Sequence, residues 1–345
     1  MKIIVESHIP YVGNSLDDLG EVVRLTPDEI TREAVADADA LIVRTRTRCG
    51  APLLDGSAVK FVATATIGTD HIDRGWCASR GIEVHSCPGC NAPAVAQYVW
   101  SSVLRLRDCV EGAVIGVVGL GNVGSIVARW ARSLGAKVLA CDPPRGRATG
   151  GWDPENPAAA GSEPFVTLDH IARHADIITF HTPFTREGGD RTFHIAGAEF
   201  FDSLVKRPIV INAARGGVVD TPALEKAICD RRVSAAVIDC WEGEPAISRE
   251  LLELAHIATP HIAGYSIEGK QRATASCVGA LRRFAGAKVE QPAPIVPPPY
   301  NLAMPFGERI VASYDPLADT AALRRDPSAF EALRNHYPLR HEVAL

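Results

Sequence analysis

Three short polar segments each follow a β-branched run: Asn212-Ala213-Ala214-Arg215-Gly216, Asp239-Cys240-Trp241-Glu242-Gly243-Glu244-Pro245, and Thr259-Pro260-His261-Ile262-Ala263-Gly264. Together they supply an arginine, carboxylates and a histidine. An arginine can clamp a carboxylate with two parallel bonds, which a lysine cannot. A histidine is a base suited to neutral pH. A carboxylate bonded to that histidine would orient its ring and stabilise the imidazolium as a proton arrives. These are the parts needed to take a proton from a hydroxyl beside a carboxylate, with a hydride acceptor alongside. Each residue also has an ordinary use: His261 could cap the helix it precedes, Arg215 could pair with Asp239 or Asp220, and Glu244 could be a solvated turn residue. Glu242 rivals Glu244 as the orienting carboxylate.

The hydride acceptor is suggested upstream. A β-branched run at 114–118 enters Gly119-Leu120-Gly121-Asn122-Val123-Gly124, and a helix is expected from Val123. The first glycine permits a tight turn, the second lets the backbone approach a pyrophosphate, and the third lets helix and strand pack closely. The helix N-terminus, with Asn122 and Val123, favours the phosphate charge. Asp142 ends the next strand at the distance expected for a ribose-binding carboxylate, whose charge would repel a 2′-phosphate. NAD is therefore expected over NADP, with nearby Arg145 weighing slightly the other way.

The elements that would position these groups alternate strand and helix almost throughout. Strands are expected at 3–5, 21–25, 40–44, 61–65 and 81–85, then at 114–118, 137–141, 176–180, 208–212, 235–239 and 256–259. The expectation is an α/β protein of two doubly wound parallel-sheet, Rossmann-like domains with a cleft between them and a short C-terminal appendage. Residues 1–91 with 262–290 would form a substrate (lid) domain and 92–261 the NAD-binding domain, leaving 291–345 as a proline-rich linker and a tail with too few apolar residues to form a domain alone. A helix at 92–107 with Asn91 as its N-cap would connect the two, and a helix at 264–285 would cross back. The Gly-, Pro- and Ala-rich stretch 143–164 reads as an irregular loop.

At 345 residues and a net charge of −5, the chain has neither the basic surface of a nucleic-acid binder nor an apolar run approaching the roughly 20 residues of a membrane span. Its N-terminus reads as a strand rather than a signal peptide. Nine scattered cysteines suit a reducing cytoplasm. Cys87-Pro88-Gly89-Cys90 has redox or zinc spacing, but with no second such pair it reads as a turn, and no metal is expected.

The three catalytic segments resemble those of the D-isomer-specific 2-hydroxyacid dehydrogenase family, along nearly the whole chain to about residue 292. The resemblance makes Arg215, Glu244 and His261 the catalytic trio, sets Asp239 against the nicotinamide carboxamide, and makes Thr182 and Gly264 further cofactor contacts. Thr64-Ala65-Thr66-Ile67-Gly68-Thr69-Asp70-His71, Cys141-Asp142-Pro143-Pro144-Arg145 and the run from Pro260 to Lys270 are similar to one branch of the family. That branch uses NAD to oxidise 4-phospho-D-erythronate to the 2-oxo acid on the route to pyridoxal 5′-phosphate. By the same resemblance Thr45, Thr66 and Tyr265 would contact substrate, and the protein would be a homodimer. In Val43-Arg44-Thr45-Arg46-Thr47-Arg48, strand alternation would put Arg44, Arg46 and Arg48 on one side, a cluster able to neutralise a phosphate. A solvated basic edge is the plainer reading. The alternatives are a dehydrogenase of the 3-phosphoglycerate or hydroxypyruvate type and a NAD-sensing corepressor-like protein.

Overall fold

The computed structural model describes residues 1–149, 165–289, 295 and 301–343. The chain divides into two compact units, Met1–Asn91 with Ser266–Pro297, and Ala92–Tyr265 with Pro298–Leu345.

The first unit is built on a five-stranded parallel sheet of β1 (Lys2–Glu6), β2 (Glu21–Leu25), β3 (Ala40–Val43), β4 (Phe61–Thr64) and β5 (Glu83–His85), in the order β2-β1-β3-β4-β5. β3 and β4 are buried along their whole length, as expected of parallel strands covered on both faces. The helix Ile267–Phe284 belongs to this unit. Ser266 caps it by accepting from Gly269 N at 2.9 Å, and Ala273, Cys277 and Leu281 join Ile3, Ile42 and Phe61 in one core.

The second unit holds a six-stranded parallel sheet: β6 (Val114–Val118), β7 (Lys137–Cys141), β8 (Ile177–Phe180), β9 (Ile209–Asn212), β10 (Ala235–Ile238) and β11 (Ile257–Ala258), in the order β11-β10-β9-β8-β6-β7. The order reverses at β6, which pairs with β7 on one side and β8 on the other. That reversal is where doubly wound sheets bind ligands, beyond the carboxyl ends of the strands.

Three expectations are corrected. The strand at β3 stops at Val43, and the chain turns, with Thr47 N donating to Arg44 O at 3.3 Å. The alternation that would align Arg44, Arg46 and Arg48 therefore does not occur. Pro143–Thr149 is a helix, not a loop: Asp142 Oδ1 accepts from Arg145 N at 3.1 Å, an N-cap bond, and proline suits a first helical turn. The rest of that stretch lies outside the described residues. Asn91 precedes the helix Ala92–Leu106 without capping it; its Oδ1 is buried with no hydrogen-bond partner among the described residues.

The tail folds as helices Phe306–Ser313, Pro316–Arg325 and Phe330–Asn335, and it clusters with the second unit. Ile310, Leu323 and Phe330 are fully buried in that unit's cores. Ala258 N donates to Thr320 Oγ1 at 3.1 Å, so a tail helix covers the edge strand β11 that would otherwise stay open. Among the described residues no helix is long and apolar enough to cross a membrane.

Candidate active site

The glycine loop after β6 divides its three roles sterically. Gly119 has φ +88°, and a Cβ there would lie 2.8 Å from His181 O and 2.9 Å from Thr182 N. A Cβ at Gly124 would stand 1.9 Å from Gly119 O, so the helix Asn122–Ser133 rests directly on the loop. Gly121 has nothing within 4 Å of such a Cβ, and as the residue preceding the helix it offers no side-chain cap. That leaves open space beside unsatisfied N–H groups at a helix N-terminus, the arrangement that receives a phosphate. Thr182 Oγ1, just past the tip of β8, is buried with no partner among the described residues. An orphaned hydroxyl beside an open glycine cradle fits a dinucleotide bound there.

Asp142, at the tip of β7, accepts from Leu120 N through Oδ2 at 2.8 Å. It is thus fixed beside the loop with acceptor capacity left for ribose hydroxyls. The Arg145 guanidinium turns to Leu120 O and, at 3.2 Å, to Ser125 Oγ. Arg145 therefore has a structural place on the loop.

The candidate catalytic pair, Glu244 and His261, lies in loops after β10 and β11. His261 Nδ1 stands 2.8 Å from Glu244 Oε2 and 3.0 Å from Oε1. Geometry now separates the two glutamates. Glu242 is committed elsewhere, 2.6 Å from His194 Nε2 through Oε1 and accepting from Thr221 N through Oε2 at 2.9 Å. Glu244 Oε1 also accepts from Trp241 N at 2.8 Å. Burial alone would raise the Glu244 pKa, but the charge and hydrogen bond of His261 outweigh it and hold the carboxyl below its usual range. An ionised carboxylate can only accept, so Nδ1 carries the proton of this pair and Nε2 is left as the basic nitrogen. Burial opposes the charge on His261, yet its neighbours raise its pKa well above the ordinary value. Burial also pushes the Cys240 thiol up, so near neutrality the Glu244 carboxylate supplies the charge that His261 feels.

His261 has φ +55°, a left-handed conformation unusual for a side chain with a Cβ. Asp239, 1% exposed, stabilises the turn. Its Oδ1 accepts from Ile262 N at 2.7 Å and from Thr259 Oγ1 at 2.7 Å, and its Oδ2 from Ala263 N at 3.0 Å. Thr259 Oγ1 lies 2.8 Å from Tyr98 OH. Arg215 lies between Asn212 and Gly216 in the loop after β9. A Cβ at Gly216 would come within 1.9 Å of Trp241 O, and Asn212 Nδ2 donates to Arg215 O at 3.0 Å and Cys240 O at 3.1 Å. The loops bearing Arg215 and Glu244 are thereby locked together. Gly264 and Tyr265 follow this turn; the Tyr265 ring meets Tyr337 edge-on at 6.0 Å. Trp241, Thr259 and Asn212 near strand ends, and Tyr98 within the helix Ala92–Leu106, carry no mark in the sequence of the partners they find.

In the first unit, Arg44 N donates to Glu6 Oε2 at 2.8 Å, while Arg44 Nε is buried without a partner among the described residues. Thr45 and Arg46 are exposed on the turn that follows. Thr66 Oγ1 lies 2.6 Å from Thr64 Oγ1, which is 3.1 Å from His71 Nε2; burial pushes the His71 pKa down to about 4. Cys87 and Cys90 are free thiols, and no cluster able to hold a metal occurs among the described residues.

Residues 93–263 match the NAD-binding domain of the D-isomer-specific 2-hydroxyacid dehydrogenases, and the chain belongs to that family of NAD-dependent oxidoreductases. Within the family it is similar to erythronate-4-phosphate dehydrogenases. That of Bacteroides thetaiotaomicron is 44% identical, over 99% of this chain and 97% of the relative. That of Escherichia coli O1:K1 is 40% identical, over 99% of this chain and 92% of the relative. Among solved structures, the D-lactate dehydrogenase of Aquifex aeolicus with NAD and lactic acid superimposes with a TM-score of 0.68 at 25% identity. It covers 83% of this chain and 96% of its own.

Proposed function

We propose that this protein oxidises 4-phospho-D-erythronate at C2 to 2-oxo-3-hydroxy-4-phosphobutanoate, using NAD, in the biosynthesis of pyridoxal 5′-phosphate. The observation that carries the reading is near-full-length similarity to erythronate-4-phosphate dehydrogenases, joined to a histidine–glutamate pair built as a base.

NAD, held by the Gly119–Gly124 loop, Asn122, Val123, Thr182, Asp142, Asp239 and Gly264, would accept the hydride from C2. Arg215 would hold the substrate carboxylate through its planar fork. His261 Nε2 would take the hydroxyl proton as the C2–O bond becomes a carbonyl, while Glu244 stabilises the imidazolium so formed. The buried, unpartnered Nε of Arg44 supports a ligand role for that residue. We assign the phosphate to Arg44, with Arg46, Thr45 and Thr66 beside it, and Tyr265 to the substrate. The chain is proposed to act as a homodimer in the cytoplasm. A panel of D-2-hydroxy acids assayed by NADH absorbance tests the reading. Phosphoerythronate is expected to give the highest kcat/KM, and equal or better turnover of 3-phosphoglycerate would overturn it.

A further inference from the structure

The C-terminal tail does more to the second unit than close its edge. Arg340, 9% exposed and one of several tail residues buried there, points its guanidinium at the turn bearing His261. Nη2 donates to Ala263 O at 2.6 Å, and Nη1 to Ile262 O at 3.3 Å. The same two residues give their N–H groups to Asp239. The turn is therefore gripped by an anion on its donors and a cation on its acceptors. A planar guanidinium can span two neighbouring carbonyls, whereas a lysine presents a single point charge. Arg340 is itself held in place: Nη1 donates to Tyr337 OH at 3.1 Å, Nη2 to Ala94 O at 3.3 Å, and the Tyr314 ring lies 4.1 Å beneath it. Tyr314 OH and Tyr337 OH both donate to Asp319 Oδ2, at 2.8 and 3.3 Å, which places a balancing carboxylate nearby.

We propose that Arg340 is a positioning residue for the base His261, the tail acting through the Ile262 and Ala263 carbonyls to hold the left-handed turn that aims the imidazole at Glu244. Left-handed backbone at a residue with a Cβ persists only where surrounding contacts over-determine it. Asp239 holds the turn's N–H groups and the tail its carbonyls, beside the backbone bonds from His261 N to Thr259 O and from Tyr265 N to Ile262 O, both 2.9 Å. The inference rests on reading His261 as the base.

The charged or titratable groups around His261 are Asp239, Cys240 and Glu244 from the strand-end loops, with Arg334 and Arg340 from the tail. Arg334 bonds Tyr265 and lies within electrostatic reach of Glu244. Arg340→Lys keeps the charge count, so a change in His261 titration would report geometry. In the full-length chain, Arg340→Lys is expected to leave NAD affinity within about twofold of wild type. It should lower kcat by about 10–10²-fold, the scale of an ångström-level misplacement. The His261 imidazole, followed by NMR, should titrate closer to the ordinary histidine value as its contact with Glu244 loosens. Wild-type kcat with unchanged titration would overturn the proposal. So would a kcat loss that leaves the titration in place, since the tail would then only support the fold. Should Arg340→Lys not fold, Tyr337→Phe carries the test. Removing that hydroxyl anchor should lower kcat about three- to tenfold, the worth of one hydrogen bond, with the same direction of titration shift. Wild-type values in that variant would overturn the proposal. If wild-type protein oxidises no phosphorylated acid, the functional reading fails while the titration still decides whether Arg340 positions His261.

Discussion

The loops around His261 and the turn around Arg44 are both polar strand-end segments, yet they are satisfied in opposite ways. In the second unit the loops are closed on one another: Asp239, Asn212, Trp241 and Glu244 each make hydrogen bonds that fix a neighbouring loop. In the first unit Arg44 Nε and Thr47 Oγ1 are buried with no partner, and Thr45 and Arg46 face outward. A buried polar group without a partner costs about 1–3 kcal/mol, so such groups stand out where a ligand would complete them. The lesson is that the residues proposed to do proton chemistry are preorganised by the protein, while those proposed to grip the phosphate would be completed by it.

Four substitutions bear on that contrast. His261→Ala should cost the most, lowering kcat by about 10²–10⁴-fold with NAD affinity nearly unchanged; a wild-type rate would remove His261 from the mechanism. Glu244→Gln should cost about 10–10²-fold, less than losing the base. Its pH profile should also move. Burial lowers the His261 pKa, Cys240 and Glu244 together raise it above the ordinary value, and only neutral His261 can accept a proton. Oxidation in the wild type therefore rises with pH through that raised value. Without the carboxylate the value falls, and the acid limb of kcat/KM should shift to lower pH. An unmoved limb would break the pairing. Arg44→Ala should raise KM for the phosphorylated acid about 10-fold or more while sparing its unphosphorylated analogue, on the scale of a charge-assisted hydrogen bond. Equal loss for both acids would end its phosphate role. Asp142→Ala should have the smallest effect, weakening NAD about tenfold or less and narrowing its advantage over NADP, measured by the two Michaelis constants.

Much of this was legible beforehand because β-branched runs reported parallel strands directly: each strand among the described residues falls on an expected run, with ends that differ by two residues at most. The glycine loop was readable because each glycine answers a separate steric demand. The pairing of Glu244 with His261 followed from motif resemblance, and the commitment of Glu242 to His194 needed the fold, since the two lie 48 positions apart. The arginine run misled because alternation holds only while a strand continues, and nothing local marks the turn after Val43. The helix Pro143–Thr149 was hidden by its own prolines, which signal loops in general but also suit a first helical turn after a capping aspartate. The contacts of Arg340 with residues 77 and 78 positions earlier are set by tertiary packing alone.

The discontinuous first unit has a consequence for how the chain is made. Its sheet strands, Lys2–Glu6 to Glu83–His85, leave the ribosome early, but the helix that covers Ile3, Ile42 and Phe61 is encoded at Ile267–Phe284. During translation that apolar face stays uncovered while the whole intervening unit is synthesised. Exposed strands of this kind are the surfaces that chaperones shield and that associate wrongly when crowded. The part of the protein made first is thus completed late, and its yield in a cell depends on the pace of elongation as well as on the stability of the finished fold.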